Sequence, residues 1–106
     1  MKIIKELSEM IEEELDGAEE YAENAVVLME SHPSLAKVFY EISLDEVKHI
    51  NMLHEEVKKM IEQHRKEKGD PPAAMMAVYE YLHKKHIEKL NEIKAYQAQY
   101  KEKMYS

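Results

Sequence analysis

MIEEELDGAEEYAENAVVL, residues 10–28, decides how this chain is read. It has no proline and a single glycine, and its apolar residues recur every three or four positions, the period of one helical face. Continued in both directions, the count runs Ile4, Leu7, Ile11, Glu14, Ala18, Tyr21, Ala25, Leu28. Every position but one is apolar or small. The exception, Glu14, puts a carboxylate on the face expected to be buried.

Outward from this stretch, breakers are few. ESHPSL, residues 30–35, interrupts the first pattern, and Pro33 suits a first helical turn, where its missing N–H costs nothing. KEKGDPP, residues 66–72, interrupts the second: Gly69 can end a helix, Asp70 can cap the next and Pro71 can open it. The spacing predicts an all-α fold of three helices, about 2–31, 34–67 and 71–104, in a single domain spanning residues 1–106. Both connections are short, so consecutive helices are expected to lie antiparallel. Gly17 inside the first helix costs about 1 kcal/mol relative to alanine and points to close packing there.

Composition narrows the function classes. The 106 residues are 44% hydrophobic and 35% charged, with two glycines, three prolines and no cysteine. A net charge of -7 is wrong for neutralising phosphates, so nucleic acid is not an expected partner. No apolar run reaches the length of a membrane span, and the opening MKIIKELSEM lacks the apolar block of a signal peptide, so the cytoplasm is the expected location. Without cysteine there is no disulfide framework, thiolate metal site or thiol chemistry. The low glycine content argues against a phosphate-binding loop. The eight methionines read as adaptable core filler.

The second helix repeats the anomaly of the first. Its count reads Leu35, Phe39, Ile42, Glu46, His49, Leu53, Glu56, Met60. Glu46 and His49 are three apart, hence neighbours on one helix surface. Measured from the turn between the two helices, Glu14 and Glu46 differ in height by only about 5 Å at about 1.5 Å rise per residue. Two carboxylates and an imidazole therefore meet at one level. Burying them uncompensated costs several kcal/mol, whereas a divalent cation offsets the charge and uses the imidazole nitrogen; iron, manganese and zinc all accept this ligand set. A Glu from each of two helices with Glu-x-x-His from each of two others is the donor set of di-iron helical bundles.

With Glu14, Gly17, Tyr21 and Asn24 on the first helix and FYEISLDEVKHINML (residues 39–53) on the second, residues 10–60 resemble the first half of a ferritin-like di-iron domain, above all rubrerythrin. The resemblance implies metal-ligand roles for Glu14, Glu46 and His49, a di-iron centre, and oxidation of Fe(II) by oxygen or peroxide. A complete ferritin-like domain has two such helix pairs; this chain has one, and it lacks the cysteines of rubrerythrin's iron–sulfur module. In that respect it is similar to the encapsulated ferritins, which carry half a bundle per chain and build the site between two subunits, although AQYKEKMYS at the end is no clear encapsulation tail and an encapsulating shell has no support in the sequence. The expected assembly is a homodimer or higher homo-oligomer. A two-fold axis would set Glu14, Glu46 and His49 against their copies and complete a four-helix di-metal bundle around two metal ions.

The third helix offers a decoy. Glu80-x-x-His83 has ligand spacing, but Glu80 lies roughly 18 Å from the level of Glu46 at about 1.5 Å per residue. It is expected to face Glu56 in a polar layer. Glu88 and Glu92 have the right height, and Glu92 is a further ligand candidate. Tyr21 reads equally as core packing or as a hydroxyl donor to a ligand carboxylate. His54, His64 and His86 read as surface or polar-layer residues, His32 as part of a turn or cap. A different class of function, a metal-free helical bundle serving as a structural or interaction module, stays open at this point.

Overall fold

The computed structural model describes residues 2–105. All of the secondary structure among them is helical: α1 Lys2–Leu28, α2 Pro33–Lys68 and α3 Ala73–Tyr105. The rod they form measures 55 × 21 × 18 Å, its long dimension matching the roughly 54 Å expected of a 36-residue helix. No described helix is long and apolar enough to cross a membrane.

The breaks sit where backbone chemistry puts them. Pro33 opens α2 behind the N-cap His32, whose Nδ1 lies 2.9 Å from Ser31 Oγ rather than on the helix end. Gly69 closes α2 at φ 82°, a left-handed conformation suited to glycine, and its N–H donates to the Arg65 carbonyl. His64 Nδ1 lies 3.1 Å from the Gly69 carbonyl oxygen. The third helix starts at Ala73, not at 71. A residue that precedes proline is pushed out of the helical region, so Pro71 cannot be helical ahead of Pro72, and the Pro72 carbonyl accepts the first bond, from Met76 N–H.

Facing pairs define the directions. Glu14 meets His49 and Tyr21 meets Phe39, so α1 and α2 are antiparallel. Tyr40 stacks on Tyr100, Ser43 accepts from Gln97 and His54 stacks on His86, so α2 and α3 are antiparallel too. Glu12 with His86, Asp16 with Lys89 and Glu30 with Lys103 climb together, which makes α1 and α3 parallel. The third helix packs more closely on α1 than on α2.

The buried row of α1 keeps Ile4, Ile11, Ala18 and Ala25 of the sequence count and takes the next residue along in place of Leu7, Glu14, Tyr21 and Leu28, while on α2 the whole row is displaced by one. On α1 it is Ile4, Ser8, Ile11, Leu15, Ala18, Ala22, Ala25 and Met29; on α2 it is Ala36, Tyr40, Ser43, Ile50, His54, Val57 and Ile61. Leu7, Glu14, Tyr21 and Leu28 lie beside the α1 row and are half-buried, as are Phe39, Ile42, Glu46, Leu53 and Met60 beside the α2 row. The rotation follows from size. Ala18, Ala22, Ala25 and Ala36, none more than 1% exposed, let the helices approach closely, while larger residues line the edges. Ser43 is fully buried and satisfied: its hydroxyl donates to the Tyr40 carbonyl at 2.6 Å and accepts from Gln97 Nε2 at 3.1 Å.

Candidate metal centre

Glu14 on α1 and Glu46 and His49 on α2 come together on the face formed by these two helices. One ligand atom from each lies within 4.8 Å of the others, the one such acidic and histidine group among the described residues. His49 Nδ1 is 3.7 Å from Glu14 Oε2 and 4.0 Å from Glu46 Oε1. The side chains are 34%, 23% and 54% exposed for Glu14, Glu46 and His49, so Glu14 stands at the rim of the core rather than within it. The inward placement read from the α1 periodicity is corrected by one helical position, yet the convergence with Glu46 and His49 at one height is what the structure contains.

The electrostatics are those of two carboxylates forced together. Hydrogen bonding to Glu14, burial and the Glu14 charge push the Glu46 carboxyl from its ordinary 4.5 up to about 7, with His49 opposing. Glu14 Oε2 is buried and has no partner when both groups are ionised. A proton on Glu46 supplies one, and so does a cation. The group thus fits a divalent metal: hard carboxylate oxygens stand beside an imidazole nitrogen, and the crowding that raises the Glu46 carboxyl is what a cation would relieve.

Gly17 adjoins this group. A Cβ there would lie 3.9 Å from Glu46 Oε2, an ordinary van der Waals contact. The glycine leaves room beside the carboxylate; helix packing does not demand it. Tyr21 packs its ring on Phe39 at 5.4 Å between centroids, tilted by 57°, and no hydrogen bond from its hydroxyl to Glu14 or Glu46 occurs among the described residues, which favours the packing role.

The other candidates lie elsewhere. Glu92 is exposed and sits by Glu19, where it helps to raise the Glu19 carboxyl after burial and against Lys89. It does not join the trio. Glu80 is exposed and Glu56 pairs with Lys59, so these two do not form a polar layer. His83 turns instead to His54, with ring centroids 5.2 Å apart, and His54 stacks on His86 at 5.7 Å. His54 and His86 are both buried. His54 and His86, expected at the surface or in a polar layer, and His83, expected to face Glu56 beside Glu80, form this layer together; its signal in the sequence is the i, i+3 pair His83 and His86 on α3 at the level of His54 on α2. No protein-family model, curated protein or solved structure matches this chain.

Proposed function

We propose that Glu14, Glu46 and His49 are one half of a di-metal carboxylate centre, completed by the same residues of a second copy, that takes up Fe(II) for oxidation by oxygen or peroxide. The observation that carries this reading is the convergence of three ligand atoms within 4.8 Å on a face that leaves His49 about half exposed. Four carboxylates and two imidazoles around two ions make a complete donor set for such a centre. The half-buried apolar residues above and below the trio, Leu7, Tyr21 and Leu28 on α1 with Phe39, Ile42, Leu53 and Met60 on α2, give that face the makings of a helix–helix contact.

Iron held there supplies the electrons that reduce the oxidant. The chain's own residues do the rest. Glu46 surrenders its proton as a cation enters, so uptake strengthens as pH rises through about 7. Glu14 contributes the oxygen that otherwise lacks a partner. His49 contributes its ring nitrogen, which lies 3.7 Å from Glu14 Oε2. Manganese or zinc fits the same donors.

The test is anaerobic Fe(II) loading of protein purified without a histidine tag, followed by admission of oxygen. Binding of about one iron per chain and an oxygen-dependent absorption band of a ferric pair are the expected results. Glu46→Ala and His49→Ala should lose both, and Glu80→Ala, on an exposed position of α3, should keep them. A wild type that binds no iron would leave the metal-free bundle as the reading of this fold.

A further inference from the structure

The histidine layer between α2 and α3 contains more unmet bonding capacity than any other part of the described chain. His54 is 8% exposed and His86 4%. His54 Nε2, His83 Nδ1 and His86 Nε2 are all buried without a hydrogen-bond partner, one orphaned nitrogen on each ring. A buried imidazole nitrogen left this way costs roughly 1–3 kcal/mol, and three in contact is not what a structural polar layer looks like.

We propose that His54, His83 and His86 form a second metal site, for zinc or a similar divalent transition metal, separate from the Glu14–Glu46–His49 centre. Two of the three ring separations are close to those needed. In a tetrahedral site with zinc–nitrogen bonds of about 2.0–2.1 Å, imidazole ring centres lie about 5 Å apart. Here His54 is 5.2 Å from His83 and 5.7 Å from His86. His83 and His86, three apart on α3, are neighbours on one face. Rotation of the rings about their side-chain bonds is still needed to bring the three nitrogens onto one point, since only the carboxylate trio has its ligand atoms already converged.

Burial, followed by the neighbouring His83 and His86, pushes His54 down to about 4, and burial holds His86 below its usual range despite Glu12, as expected of rings set inside the core. Glu12 Oε1 lies 3.6 Å from His86 Nε2 on a side chain 52% exposed, placed to supply the fourth ligand and a compensating charge. A cleft of about 180 Å³ lined by Glu12, Leu15, Asp16, Lys85, His86 and Lys89 reaches the outer edge of the layer at His86. The consequence for the fold is a cross-link. His86 is the first buried residue of α3, and a metal on it would fasten the loosely packed start of that helix to α2.

The experiment is a Zn(II) titration of the full chain carrying Glu46→Gln and His49→Asn, which disables the first centre, followed by calorimetry and by imidazole ¹⁵N NMR. The expected result is saturation near one zinc per chain, with shifts confined to His54, His83 and His86. Glu12→Gln should weaken binding roughly 10-fold, and His83→Asn, at a half-buried position, should remove saturable binding from a protein whose spectrum shows it still folded. Absence of binding, or shifts confined to the more exposed His32 and His64, would overturn the proposal. Failure here leaves the iron reading untouched, because that centre is absent from the tested protein.

Discussion

Glu46 is where local chemistry shows most directly. Its folded pKa, about 7, lies above its ordinary 4.5 because Glu14 stands against it. Its contribution to stability is therefore complete below about pH 4.5 and disappears as the pH rises through about 7. His54 works in the opposite sense: its pKa is depressed from 6.5 to about 4, so its contribution is present above 6.5 and is lost as the pH falls through 4. In chelator, Glu46→Gln should melt close to the wild type at pH 5 and above it at pH 8. If partial solvation limits the relieved cost to about 1 kcal/mol, the gain is on the order of 4–8 °C. The comparison cancels His54, which both proteins carry. With Mn(II) at pH 8 the order should reverse, since glutamine is a poorer ligand. Gly17→Ala belongs to the same scale. With only an ordinary contact to Glu46 awaiting its Cβ, it should stabilise the metal-free protein by up to about 1 kcal/mol in chemical denaturation. The glycine was legible as an oddity of the sequence, but the reason first assigned to it, close helix packing, was not the reason found.

At the scale of the element, the decisive feature is the row of small residues. Ala18, Ala22 and Ala25 on α1 and Ala36 on α2 are all essentially without exposure, and Ala25 and Ala36 share one buried cluster. Ala22→Leu overfills that seam and should cost about 1–3 kcal/mol, read as a drop in melting temperature with α-helical content retained below the transition. The third helix is uneven along its length. Its buried residues are His86, Leu90, Ile93, Gln97 and Tyr100, none earlier than His86, while Met75, Val78 and Tyr81 are exposed. Local stability follows buried contacts, so amides of residues 77–85 should exchange with deuterium faster than those of 90–100. Helix existence and approximate limits were readable from breakers and periodicity. The start of α3 was misplaced by two residues because Asp70 offered an attractive cap, while the Pro71–Pro72 pair forbade its use.

For the whole molecule, the open question on the surface is what meets the face of α1 and α2 that carries the trio. Two copies brought together there without metal would crowd four carboxylates, and bound ions would remove that repulsion. Dimerisation and metal binding should therefore be linked. Sedimentation should show the dimer fraction rising with Mn(II) and falling with chelator. The melting temperature should rise in parallel, by the equivalent of about 2.7 kcal/mol at a hundredfold excess over the dissociation constant. Glu14→Leu should abolish both responses, and in chelator it should be at least as stable as the wild type, because it replaces a half-buried carboxylate whose Oε2 has no partner. A monomer that binds metal tightly at all three residues would rule out the shared centre.

The sequence by itself determined three helices, their breaks around Pro33 and Gly69, and the common height of Glu14, Glu46 and His49. These follow from properties local to the chain: the 3.6-residue period, the backbone limits of proline and glycine, and a constant rise per residue. Tertiary structure decided which residues complete the buried row of α1 beside Ile4, Ile11, Ala18 and Ala25: Ser8, Leu15, Ala22 and Met29 lie in it, while Leu7, Glu14, Tyr21 and Leu28 are half-buried. A count in threes and fours fits either set. It also decided that α3 lies against α1 and leaves Glu92 out of the trio, and that His54 meets His83 and His86. Those contacts join residues about 30 apart in the chain, and no periodicity along one helix records which way a neighbouring helix is turned.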